Sequence, residues 1–135
     1  MDRVRVSTGT DWEPRVGYSR AIRTGDHVHV AGTTATDDDG AVVAPGDPEA
    51  QTQRALEIIE AALAGAGADR SDVVRTRLFV TDVDDWEAIG EVHGEYFGDV
   101  RPAATMVEVE RLIDPDAVVE IEATAIVGER RDCGT

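Results

Sequence analysis

Lysine is absent, so arginine supplies all 13 basic side chains against 28 acidic ones, and the formal net charge is −15. With a pI near 4.4, such a chain repels duplex nucleic acid and anionic membranes, which excludes both as expected partners. Only one cysteine, Cys133, is present. It permits no internal disulfide and no cysteine-based metal site. No apolar run approaches the roughly 20 residues a membrane-spanning helix needs. The opening Met1-Asp2-Arg3-Val4-Arg5 lacks the apolar stretch of a signal peptide. These absences lead us to expect a soluble, cytoplasmic protein. A dense acidic surface with arginine as its sole cation also points to a salt-loving organism or a GC-rich genome, since salt screens the self-repulsion.

What is present suffices for one core: hydrophobic residues make up 41% of 135 positions, which excludes a disordered acidic tail and leaves room for a single domain. We expect that domain over 1–135, with its core at about 16–127 and peripheral segments at 1–15 and 128–135. Val4 to Val6 reads as a short strand, followed by a polar loop from Trp12 to Arg15 and an extended stretch from Tyr18 to Ile22. Thr24-Gly25-Asp26 marks a hairpin turn, and His27 to Thr33 alternates with the period of a strand. Asp47-Pro48 has the form of an N-cap followed by proline at the first helical position. Beyond it Thr52, Ala55, Leu56, Ile59, Ala62 and Leu63 share one helix face, which Gly65 and Gly67 end.

Val73 to Thr81 is a further strand, and Asp84 or Asp85 caps a second helix with Trp86, Ile89, His93, Tyr96 and Phe97 on one face. Strands at Thr105–Leu112 and Val118–Val127 complete the order β-β-β-α-β-α-β-β. Six strands with two helices predict an α+β fold, its helices on one face of the sheet. Parity sends Val119, Ile121, Ala123, Ala125 and Val127 toward the helices, with Val74, Leu78 and Val80 beside them. Glu120, Glu122, Arg75, Arg77 and Phe79 face the other way, together with His27 and His29. That second face is too apolar to be left in water and too charged for a core, so we expect a subunit interface containing polar clefts.

Four segments carry a resemblance to a known family: Gly17-Tyr18-Ser19, Val28 to Thr33, Val73 to Asp82, and Arg101-Pro102-Ala103 leading to Glu120-Ile121-Glu122-Ala123. Their content and spacing resemble the RidA (YjgF, reactive intermediate imine deaminase) family from about Val16 to Val127. The resemblance implies a chorismate-mutase-like fold with a mainly antiparallel sheet, and a homotrimer with small-molecule clefts between subunits. It also implies hydrolysis of imines and enamines to ammonia and a keto compound, with no cofactor and no metal. Position by position, it places catalytic roles on Tyr18 and Glu120 and ligand-holding backbone at Ala31 and Gly32. The family's carboxylate-binding arginine falls on Ala104, within Pro102-Ala103-Ala104-Thr105. Gly90 and Ile113 depart from the family pattern as well.

A guanidinium holds a carboxylate through two charge-assisted hydrogen bonds, each contributing roughly 1.5–3 kcal/mol. Alanine supplies none of this, which argues against standard 2-imino-acid deaminase activity. Arg101 and Arg20 are the candidate replacement cations, and Thr105 offers a hydroxyl and an amide beside the expected pocket. Glu122 is expected to pair with Arg75 or Arg77. His27 and His29 have a spacing that can bind metal but no third ligand in view. His93 reads as a core or interface histidine, and Asp37 to Gly40 as a solvated turn. Two functions stay open: an imine or enamine deaminase with altered substrate choice, and a non-catalytic metabolite-binding trimer. The ribonuclease or translation-inhibitor label attached to the family fits poorly with a charge of −15.

Overall fold

The computed structural model describes residues 2–128. Cys133 lies outside the described residues. The elements in chain order are β1 (Arg3–Val6), α1 (Trp12–Val16), β2 (Ala21–Thr24), β3 (His27–Thr33), α2 (Pro48–Gly65), β4 (Val73–Val80), α3 (Trp86–Phe97), β5 (Ala103–Glu108) and β6 (Val119–Ile126). The strands form one sheet in the order β1-β2-β3-β6-β4-β5. Every pairing is antiparallel except β4 with β5. The expected α+β architecture holds, with one additional short helix, α1, where a polar loop was expected.

Local chemistry sets the helix ends. The Asp47 carboxylate accepts from the Ala50 amide at 3.1 Å and Pro48 opens α2, which satisfies donors that the first turn leaves free. The α2 face of Thr52, Ala55, Leu56, Ile59, Ala62 and Leu63 is buried as its spacing predicts. It covers Val28 and Val30 of β3, Leu78 and Val80 of β4, and Val119, Ile121, Ala123 and Ala125 of β6. Each large aliphatic side chain there contributes roughly 1.5–3 kcal/mol of transfer free energy. From α3, Ile89 and Phe97 join this core, whereas Trp86 is exposed. Asp85 precedes α3 with no side-chain cap, and Asp82 instead caps the turn before it.

Three expectations need correction. β2 begins at Ala21 and not at Tyr18, because Gly17, at φ +88°, ends α1 and turns the chain there. Val73 is buried and Val74 exposed, the reverse of the expected parity, since the β4–β6 register shifts between Val73 and Arg75. β5 spans Ala103–Glu108 rather than Thr105 to Leu112.

Gln51 ties the loops around the sheet together. It is fully buried, donates to the carbonyls of Ala44 (3.2 Å) and Asp116 (2.8 Å), and accepts from the Val118 amide at 2.8 Å. Gln51→Ala leaves those groups unpaired and opens a void, so it is expected to lower unfolding free energy by about 2–4 kcal/mol. Urea denaturation checks this; a loss under half that size means that water replaces the side chain.

Candidate functional site

The first group of site residues assembles around a break in β3. Between Val30 and Thr33 the pairing with β6 slips, so that β3 carries an extra residue at Ala31–Gly32. A bulge of this kind bends the strand and re-aims its backbone. The Thr33 hydroxyl donates to the Ala31 carbonyl at 2.7 Å, and the Ala31 amide donates to the Arg20 carbonyl at 2.9 Å. Glu120 of β6 lies against this bulge. A Cβ at Gly32 would come within 2.5 Å of Glu120 Oε2, so glycine there is a steric requirement of the carboxylate's position.

Arg20 stands between these groups. Its Nη2 donates to the Gly32 carbonyl at 3.0 Å, and its guanidinium carbon lies 5.6 Å from the centre of the Tyr18 ring. Burial pushes the Glu120 carboxyl above the usual glutamate range; the Arg20 charge pulls it down, and the Glu122 charge adds to the rise. Glu122 itself pairs with Arg77 across the strands at 2.8 Å, as expected. Glu120 is thus a carboxylate whose affinity for protons is raised by burial, the direction that suits a general base.

Tyr18 is placed by α1 and the loop before it. Glu13 is buried within the turn, where its Oε2 accepts from the hydroxyls of Thr8 at 2.7 Å and Thr10 at 3.0 Å. Burial works to raise its carboxyl, but hydrogen bonds from Thr8, Ser7 and Thr10 outweigh it and hold the group below the usual range. The Glu13 carbonyl then accepts from both the Gly17 and Tyr18 amides, at 2.9 and 2.8 Å. Tyr18 leaves this anchor partly exposed. Sequence reasoning passed over Glu13; its signal was an acidic residue flanked by Thr8, Thr10 and Gly17.

Ala104, Arg101 and Thr105 lie elsewhere. In the parallel pairing, Ala104 is level with Thr76 and Thr105 with Arg77. Thr76 is buried on the helix side, so Ala104 shares that face, opposite to Glu120. Ala104 opens on a groove of about 400 Å³ between α3 and β5, lined also by His93, Gly94, Phe97, Gly98, Arg101 and Pro102. Arg101 sits at its rim, exposed, with φ +51°, and its amide closes the end of α3 on the Phe97 carbonyl at 2.8 Å. Thr105 faces the Glu120 side but is separated from β6 by β4. Within one chain, then, Tyr18, Ala31, Gly32 and Glu120 come together, with Arg20 among them. Ala104 and Arg101 form a separate groove.

One wall of the groove is a half-buried histidine. His93 Nε2 and the Thr76 hydroxyl share a hydrogen bond at 2.9 Å, and the ring packs on Phe97 with centroids 4.8 Å apart. Partial burial holds the imidazole below its usual pKa of 6.5, a shift toward the neutral ring. His27 and His29 are exposed on the opposite face, their rings 6.4 Å apart. Among the described residues no three His, Cys, Asp or Glu side chains converge as a metal site, and no described helix is long and apolar enough to cross a membrane.

The profile of the family described as Endoribonuclease L-PSP matches residues 8–127. The chain belongs to this family, which is also the RidA or YjgF/UK114 family. A member from Mycobacterium tuberculosis, Rv2704, has a crystal structure with a TM-score of 0.85 and 52% identity, covering 93% of this chain and 100% of that one. The 3-aminoacrylate deaminase RutC of Acinetobacter baylyi is 39% identical over 114 residues, 84% of this chain and 90% of that protein. Escherichia coli TdcF, solved with bound serine, matches at 26% identity and a TM-score of 0.78, covering 92% and 94%. These likenesses extend to the whole fold, including its chorismate-mutase-like sheet.

His93 makes the stability of this family member depend on pH. Its folded-state pKa lies below 6.5, so its contribution is complete above that value and is lost as the pH falls toward the folded pKa, by at most about 1.4 kcal/mol per pH unit. Denaturant midpoints between pH 7.5 and 5 are expected to fall more steeply for wild type than for His93→Gln. Equal slopes for the two proteins would contradict a lowered His93 pKa in the folded protein.

Proposed function

We propose that the chain is a homotrimer whose inter-subunit clefts bind and hydrolyse small imines or enamines, with Glu120 and Tyr18 as the working groups. The observation that carries this reading is Glu120, held against the Gly32 backbone with its carboxyl pushed up by burial, on the sheet face opposite to the one that α2 and α3 cover. The trimer draws support from that face, where Phe79, Val107 and Ile126 lie among Arg77, Glu120 and Glu122. It draws further support from the separation of the Ala104 groove and the Glu120 cluster onto opposite faces, since a neighbouring copy can bring one beside the other. The deaminase named among the relatives favours C–N hydrolysis over other chemistries.

In this mechanism Glu120 takes a proton from water as the water oxygen bonds to the imine carbon and hands that proton to the imine nitrogen, which leaves Glu120 ionised again. The resulting carbinolamine then breaks its C–N bond. Its hydroxyl proton passes by way of Glu120 to the leaving nitrogen, so that ammonia departs and a carbonyl remains. Tyr18 orients the water or ligand through its hydroxyl. Because Ala104 supplies no cation, simple 2-imino acids are poor substrates, and the cleft takes imines whose binding does not depend on a carboxylate clamp at that position. A non-catalytic metabolite-binding trimer is the second reading, favoured by the same alanine. Cleavage of RNA is disfavoured by the charge of −15.

Light scattering in high salt is expected to give three times the chain mass of 14.5 kDa. An imine generated in place from serine or threonine tests the chemistry. Ala104→Arg is expected to raise kcat/KM for 2-iminopropanoate by about tenfold or more, the scale of a restored charge-assisted pair. Rapid wild-type turnover of that imine, or no gain in a folded trimeric Ala104→Arg, would sink the assignment of the cleft.

A further inference from the structure

We propose that Arg20 is a positioning residue of this site, fixing the Gly32 backbone beside Glu120 and supplying the positive charge that faces its carboxylate. Two contacts bind Arg20 to the bulge of β3: its carbonyl accepts from the Ala31 amide at 2.9 Å, and its Nη2 donates to the Gly32 carbonyl at 3.0 Å. Gly32 in turn is the residue whose missing Cβ makes room for Glu120 Oε2. A shift of the Arg20 side chain therefore moves the surface against which the carboxylate rests. The same guanidinium lies 5.6 Å from the Tyr18 ring, a distance at which a cation and an aromatic face attract. Arg20, through its backbone carbonyl and its guanidinium, thus touches both Tyr18 and the bulge against which Glu120 rests.

Arg20 makes no ion pair among the described residues, and its buried Nε finds no hydrogen-bond partner there. The neighbouring arginine on this face is already committed, since Arg77 pairs with Glu122 at 2.8 Å. Among the described residues the charges that act on the Glu120 carboxyl are Arg20, from the segment before β2, and Glu122, from its own strand; Arg77 of β4 is held by Glu122. On β3, His29 lies level with Thr124 and not with Glu120. Glu122 and burial both work against the ionised carboxylate, and Arg20 is the group that opposes them. Within one chain this residue is separate from the groove at Ala104.

The inference rests on the proposed role of Glu120, but its test does not require turnover. The carboxyl carbon of Glu120, assigned by comparison with Glu120→Gln, is titrated by NMR in wild type, Arg20→Gln and Arg20→Lys. Removing a nearby positive charge disfavours the ionised form, so the Glu120 midpoint is expected to rise by about one pH unit in Arg20→Gln. Arg20→Lys keeps the charge and is expected to titrate close to wild type. An unchanged or lowered midpoint in Arg20→Gln overturns the proposal, as does an Arg20→Lys midpoint as high as that of Arg20→Gln. Should Arg20→Gln fail to fold, Arg20→Lys decides alone: a wild-type midpoint supports the proposal and a risen one overturns it. A protein that releases no ammonia from any imine leaves these midpoints as they are, so failure of the deaminase reading is distinguishable from failure of this one.

Discussion

The approach of Glu120 to the Gly32 backbone is the constraint around which the site is arranged. It requires a residue without Cβ at position 32, a bulge that turns β3 toward β6, and a counter-charge near a half-buried carboxylate. Each requirement fixes a further element. The bulge is closed by Thr33 onto Ala31 and by Ala31 onto Arg20. Arg20 places the segment that follows α1, and α1 is anchored by Glu13 among the hydroxyls of Thr8 and Thr10. A charged group on a sheet is costly to bury unless it is paired or titrated, and this chain of contacts lets Glu120 remain there.

The two faces of the sheet divide the labour. On one, α2 and α3 cover aliphatic side chains of β3, β4 and β6, and this packing supplies the stability. On the other, the cross-strand pair Arg77–Glu122, the stacked His27 and His29, and Phe79 beside Glu120 form a mixed surface. The proposed trimer would withdraw that surface from water while leaving polar clefts. Ala104 opens on the helix-side groove, against His93 and Phe97. A cleft drawing on both regions would present an acid–base group on one wall and, on the other, a largely apolar pocket with Arg101 at its rim.

Much of this was legible in the sequence. The 3.6-residue spacing from Thr52 to Leu63, with Asp47-Pro48 ahead of it, identified α2 and its buried face, and the alternation of Val119 to Ala125 identified the inner side of β6. What escaped depended on pairing partners. Val73 and Val74 exchange places because a bulge against β6 shifts the register, and nothing in the local pattern reveals a bulge. The face that Ala104 occupies follows from the parallel pairing of β5 with β4, which the strand's own residues do not encode. Five residues that include Pro14 are too few for helical periodicity to register, so α1 read as a loop. Tyr18, Gly32 and Glu120 stood out through the family resemblance, whereas the contact of Arg20 with Gly32 needed the fold.

The central claim is that Glu120 moves protons in C–N hydrolysis. Ammonia release from a panel of imines generated in place, with and without a carboxylate, measured for wild type and Glu120→Gln as folded proteins of equal mass, tests it most directly. The account predicts that wild type exceeds the spontaneous rate for at least one imine, and that Glu120→Gln loses about 100-fold or more of that enhancement, the usual contribution of a general base. A wild-type rate no greater than the spontaneous one across the panel, or equal rates for the two proteins, would contradict it.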